Sequence, residues 1–115
     1  MSLFDSARPH PAGYRDVAPS QLEPRPPNVR LVDVREPEEL VGELGHLDGV
    51  EPVPMGRISE AAAGWDKDAE IVFICRSGAR SGRVAMALSQ AGFSRAMNLV
   101  GGMLAWNAEG RPVVR

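Results

Sequence analysis

Cysteine is nearly absent from this chain: Cys75 is the single one in 115 residues. An intrachain disulfide is therefore excluded, and the protein suits a reducing compartment. Long apolar runs are missing too. The most apolar strand-like stretch is Ile71-Val72-Phe73-Ile74, far short of the ~20 residues that span a bilayer. Met1 to Tyr14 carries Asp5, Arg8, Pro9, His10 and Pro11 and no apolar segment of the kind a signal peptide needs. A cytoplasmic protein without a membrane partner is expected. Net charge is -2, so a basic excess that would hold a nucleic-acid backbone is lacking as well. Lysine is reduced to Lys67, and the other twelve bases are arginine.

Charge is unevenly spread. Residues 1–70 hold fourteen acids and seven bases, and residues 71–115 hold one acid and six bases. Between Ile71 and Ala108 there are four arginines and no acid, which points to a small anionic ligand. Twelve Gly and ten Pro exceed the usual share, yet stay below the ~25–30% of low-complexity chains. A compact fold with many turns follows, with a core supplied by the 43% of apolar residues.

The local patterns alternate strand with helix. Residues 1–13 are expected to form a flexible N-terminal arm, with one domain over 14–115. Tyr14–Val17 reads as a short edge strand and Pro19–Leu22 as one turn of helix, cut short by Pro24, Pro26 and Pro27. Val29–Val34 is a strand. Pro37 with Glu38 and Glu39 opens a short helix, because proline fits the first helical position and acids suit the positive end of the helix dipole. Val50–Val53 is a strand, Ile58–Ala63 a short helix, and Ile71–Ile74 a strand buried on both faces. Arg80–Ala91 is the clearest helix, with Val84, Ala87, Leu88 and Ala91 on one face. Ala96–Val100 is a last strand and Met103–Ala108 a last helix. The expected fold class is α/β: a small, mostly parallel sheet of four or five strands with helices on both faces. Ligands in such sheets bind at the carboxyl ends of strands.

One of those ends carries chemistry. Cys75-Arg76-Ser77-Gly78-Ala79-Arg80-Ser81-Gly82 links the apolar strand to the clearest helix. A loop there surrounds Cys75 with backbone N–H groups, and Gly78 permits a positive φ. Such a nest with a helix N-terminus binds anions and favours thiolate over thiol. Arg76 and Arg80 add charge that cannot be deprotonated. A lone cysteine is most often a small buried hydrophobe. The two loop arginines, the Gly, the Ser and the absence of a nearby acid set Cys75 apart from that default.

Taken together, Leu31-Val32-Asp33-Val34-Arg35-Glu36 with Glu38-Glu39, Gly45-His46-Leu47, Cys75 to Ser81, and Gly101-Gly102-Met103-Leu104-Ala105-Trp106 resemble a single-domain rhodanese-type sulfurtransferase. The four motifs occur in the family's order and cover about Tyr14 to Pro112. The resemblance implies that Cys75 accepts sulfane sulfur as a persulfide from a donor such as thiosulfate. It then passes the sulfur to a thiophilic acceptor, cyanide or a thiol, with no cofactor and no metal. It implies Cys75 as the catalytic residue and Arg76, Ser77, Gly78, Ala79 and Arg80 as the substrate-binding cradle. Asp33, Arg35, His46 and Ser81 are the supporting residues behind it. Two places depart from the family's pattern. Asp48 and Pro52 stand where Pro and Asn are usual, and the link from Leu22 to Val29 is short and proline-rich. Both bear on loop rigidity, and neither removes the cysteine.

Within this reading Arg76 recruits the anion at the mouth, while Arg80 holds the loop through Asp33. Asp33 is expected to bond loop N–H groups or an arginine. His46 is structural, His10 has no metal-ligand partners, Trp106 anchors the last helix, Arg83 faces solvent, and Glu36, Glu38 and Glu39 are helix-start charges only. Two alternatives stay open. One is a sulfur-relay or protein-binding module of the same family, acting on a partner protein without small-molecule turnover. The other is a cysteine-based phosphatase or arsenate reductase. Those enzymes place an arginine six residues after the cysteine, and here that residue is Ser81.

Overall fold

Strand β5, Glu70–Ile74, is the spine of the molecule in the computed structural model, which describes residues 2–115. Its residues Ile71 to Ile74 are completely covered because helices close both faces, and its register is parallel to both neighbours. On one side β3 (Val29–Asp33) pairs Asp33 with Ile74, and on the other β6 (Ala96–Leu99) pairs Phe73 with Asn98. Beyond β3 lies the two-residue β4, Glu51–Pro52. Beyond β6 lies β2, Arg15–Val17, also parallel, and β1, Arg8–Pro9, closes that edge antiparallel. The sheet order is β1-β2-β6-β5-β3-β4.

Period two divides β5 between two cores. Ile71 and Phe73 face Val84, Ala85 and Leu88 of α4 (Ala79–Gln90) and Ile58 and Ala62 of α3 (Ile58–Ala62). Val72 and Ile74 face Met97 and Leu99 of β6, Met103 and Trp106 of α5 (Gly102–Ala108), and Leu3 of α1 (Leu3–Ser6). The short helix α2, Pro37–Leu40, follows β3 with proline at its start. The mostly parallel α/β sheet with helices on both faces is thus present.

Four expectations change. The sheet has six strands instead of four or five, because a two-residue strand containing proline has no periodicity to read. Tyr14–Val17 therefore yields an interior strand, not an edge. Residues 2–13, expected as a flexible arm outside the domain, pack onto it; Met1 lies outside the described residues. Ser2 and Asp5 cap α1 reciprocally, Leu3 and Ala7 are buried, and Phe4 receives the Arg15 guanidinium 4.2 Å above its ring. The amide of Phe4 donates to Glu70 Oε1 at 2.8 Å, tying α1 to β5. Two spaced apolar residues are enough for this because the partner surface lies far along the chain. On α4 the buried stripe is Ser81, Val84, Ala85 and Leu88, while Ala87 and Ala91 are exposed. The stripe keeps helical spacing but is rotated to include the polar Ser81.

Candidate functional site

The carboxyl end of β5 delivers Cys75, which is 1% exposed, to the turn before α4. Gly78 caps that helix with φ +97°, a conformation that costs a side chain dearly and glycine nothing. This bend turns two backbone N–H groups toward the sulfur. Sγ receives the Gly78 amide at 3.1 Å, the Ser81 amide at 3.4 Å and lies 3.2 Å from the Ser81 hydroxyl. Burial pushes the Cys75 thiol up, but the Ser81 hydroxyl and the amides of Ser81, Gly78 and Ser77 outweigh it and hold the thiol below its ordinary value.

The loop is clamped from its outer side by α5. Met103 N donates to Cys75 O at 2.9 Å, and Leu104 N donates to Arg76 O at 3.0 Å. This contact explains Gly102. A Cβ there would lie 2.5 Å from Cys75 O and 2.6 Å from Arg76 O, so the backbone approach is open to glycine alone.

The arginines divide differently from expectation. Arg80 does not reach Asp33. Its Nη1 and Nη2 each donate at 2.9 Å to the two oxygens of Glu39 on α2, a bidentate pair across 41 residues. Both Asp33 oxygens are already engaged by Arg35: Nε donates to Oδ1 at 2.9 Å and Nη2 to Oδ2 at 2.8 Å. That pair is fully buried. Arg35 also donates to the carbonyls of Gly45 and Glu39, which joins the end of β3 to α2 and to the loop after it. Glu39 is therefore more than a helix-start charge. The Arg80 guanidinium beside it lowers its carboxyl to about 2.

Arg76 is exposed and, among the described residues, joins no ion pair. It lines a surface cavity of about 260 Å³ with Arg35, Glu39 and Leu104. Ser77 and Ala79 are exposed along the loop, and the Ser77 hydroxyl accepts the Ala79 amide at 3.4 Å. Ser81 is buried with its hydroxyl also 2.6 Å from Asn98 Oδ1. A phosphatase-type loop would need arginine at that position; here it holds a hydroxyl on the sulfur. His46 stands apart. Its Nδ1 donates to Leu40 O at 2.8 Å, and its backbone bridges Val114. Trp106 is buried and bonds Pro112 O. His10 stacks on Tyr14.

Two residues beside the Cys75 loop were not among the site candidates in the sequence. Glu39 looks like any first-turn acid until its partner arrives from α4. Asn98 had a visible signal: it is the one polar residue in the buried strand Ala96-Met97-Asn98-Leu99. Among the described residues there is no group of three or more His, Cys, Asp or Glu placed to hold a metal, and no helix long and apolar enough to cross a membrane.

Residues 19–109 match the family model described as "Rhodanese-like domain". The chain is similar to YtwF of Bacillus subtilis, at 45% identity over 82 residues that cover 71% of this chain and 77% of that protein. It is also similar to a protein of Allochromatium vinosum named "Sulfurtransferase", at 39% identity over 87 residues that cover 76% of this chain and 79% of that one. The crystal structure of a rhodanese-related protein from Thermoplasma volcanium superimposes with a TM-score of 0.78 at 31% identity, covering 88% of this chain and 98% of that one.

Proposed function

This chain belongs to the rhodanese-like domain family, and from that premise we propose that Cys75 carries sulfane sulfur from an anionic donor such as thiosulfate to a thiophilic acceptor. The Cys75 thiolate attacks the outer sulfur of thiosulfate. The S–S bond of the donor breaks, sulfite leaves with its electron pair, and Cys75 holds a persulfide. Cyanide or a thiolate then attacks the outer sulfur, and the Cys75 thiolate leaves.

The observation that carries this reading is the environment of Sγ. The chain's single thiol sits where two amides and a hydroxyl converge on it. The amides so placed stabilise the negative sulfur that each half-reaction begins or ends with. The cradle Arg76–Arg80 is the anion-binding part, with Arg76 as its free positive charge. Arg80 supports the loop through Glu39, and Asp33, Arg35, His46 and Ser81 shape the surroundings.

The test is intact-mass analysis. Incubation with thiosulfate adds the mass of one sulfur atom to the wild type, and cyanide removes it with release of thiocyanate. Cys75→Ser gains nothing. A chain that stays unloaded with thiosulfate but loads from a persulfide donor would replace the donor class and keep the thiol chemistry.

A further inference from the structure

Ser81 has one hydroxyl proton and two neighbours that compete for it. Oγ lies 3.2 Å from Cys75 Sγ and 2.6 Å from Asn98 Oδ1. Both side chains are buried, so water does not relieve the competition. The Asn98 amide is held in one orientation, because its Nδ2 donates to Gly78 O at 3.3 Å. Reversing it would set Oδ1 against that carbonyl, acceptor facing acceptor. Two oxygens 2.6 Å apart need a proton between them, and Asn98 Oδ1 has none to give. With Cys75 as a neutral thiol the proton order is therefore determined. The thiol S–H donates to Ser81 Oγ, and the Ser81 O–H donates to Asn98 Oδ1.

Ionisation removes the first proton of that chain. The thiolate then faces a lone pair of Ser81, unless the hydroxyl turns to it and leaves Oγ and Oδ1 without a proton between them. Either arrangement costs the charged form. We propose that Asn98 is a positioning residue that competes with Cys75 for the Ser81 proton and so sets the pH at which Cys75 becomes a nucleophile. The inference rests on Cys75 being the sulfur-accepting thiol only for its relevance. The titration itself requires no sulfur transfer.

The charged and titratable groups around Cys75 remain in place in this scheme. Arg76 lies on the loop and Arg80 on α4, the latter paired with Glu39 of α2. The end of β3 brings the Asp33–Arg35 pair. From the far side β2 places Asp16 in register with Asn98, next to Tyr14, while β6 and α5 bring no charge. The two amides on Sγ lower the thiol whichever way the Ser81 proton points, so Asn98 offsets part of a lowering that the loop supplies.

The experiment is a pH titration of thiolate ultraviolet absorbance on the full chain, with Cys75→Ser as the blank that removes tyrosinate. Asn98→Leu keeps the volume and removes the acceptor. Its midpoint should fall by about one pH unit, the scale of one charge-assisted hydrogen bond. Ser81→Ala removes the shared proton, and its midpoint should lie above that of Asn98→Leu, in which the hydroxyl is free to donate to the thiolate. In the double variant Ser81→Ala/Asn98→Leu, the asparagine change should have no further effect, because it acts through that proton. A wild-type midpoint in Asn98→Leu overturns the proposal. So does a fall of equal size in the Ser81→Ala background, which would show Asn98 acting through the Gly78 carbonyl and loop shape. Asn98→Ala is titrated beside them under the same two criteria, so that a leucine variant that fails to melt cooperatively does not decide the matter. Loss of thiosulfate loading with the titration intact would count against the proposed donor and leave this inference standing.

Discussion

Two neighbouring strands end in the same way and to different purposes. β3 ends in Asp33 and β5 in Ile74, paired in the sheet with Cys75 one residue beyond, and each strand feeds a turn and a helix N-terminus. Both groups are buried, and both are charged or chargeable. Asp33 has each oxygen engaged by Arg35, two residues along. Cys75 is met by amides and one contested hydroxyl, while its nearest arginines are held by Glu39 or left free. The first end is a fixed joint. The second is incompletely neutralised, as the proposed thiolate chemistry requires. A buried charge with a dedicated partner serves structure, and one met by fixed dipoles serves chemistry.

The largest effect expected from breaking this contrast is at Cys75 itself. Cys75→Ser should abolish sulfur loading and thiocyanate release with an unchanged urea midpoint, read by intact mass and denaturation. Residual turnover near wild type would place the chemistry elsewhere. Arg35→Ala attacks the fixed joint. It leaves Asp33 buried and unpaired, so stability should fall by roughly 3–5 kcal/mol, the usual cost of breaking a buried pair, as a lowered urea midpoint. A loss confined to activity would mean the pair belongs to the site.

Glu39→Gln falls between the two ends. Its ion pair with Arg80 is about a quarter exposed, so stability should drop by ~1 kcal/mol or less at neutral pH, with kcat lowered as the loop loosens. The pH dependence sharpens this. Glu39 is held at about 2 when folded, below its ordinary 4.5. A depressed carboxylate stabilises above its unfolded value and loses that contribution as pH falls toward the folded one. The stability gap between wild type and Glu39→Gln should therefore close from about pH 4.5 down to about pH 2. A gap that persists at the acid end would assign it to packing. The smallest effect belongs to Arg76→Ala. It should raise KM for thiosulfate roughly fivefold with little change in kcat, on the ~1 kcal/mol scale of an exposed charge. Added salt should narrow that difference, and an unchanged KM would point to an uncharged donor.

Much of this site was legible along the chain because its parts are local. A continuous apolar run named β5 as doubly covered. The Cys75–Gly82 segment carried the bend, the amides and the helix start within eight residues, and Gly78 took the positive φ it was assigned. Asp33 and Arg35, two residues apart, likewise lay in one stretch. The partners that were misread or missed are distant. Asp33 at a strand end near the loop is the carboxylate that chain order offers to Arg80 at the loop's far end, and it does not reveal that α2 brings Glu39 to Arg80 instead. Leu3 and Ala7 look too sparse to pack because the core they join is built from residues far along the chain.

Sequence alone determined the layered α/β architecture and the placing of the single thiol before the clearest helix. Periodicity, glycine and proline act through neighbouring backbone dihedrals and need no knowledge of the rest of the fold. Only tertiary structure decided which arginine meets which carboxylate and how closely α5 clamps the Cys75 loop over Gly102. It also decided that Asn98 comes within reach of the Ser81 proton. Those outcomes depend on hydrogen bonds of 2.6–3.0 Å between groups on separate strands and helices, where a shift of a single ångström makes or breaks the bond.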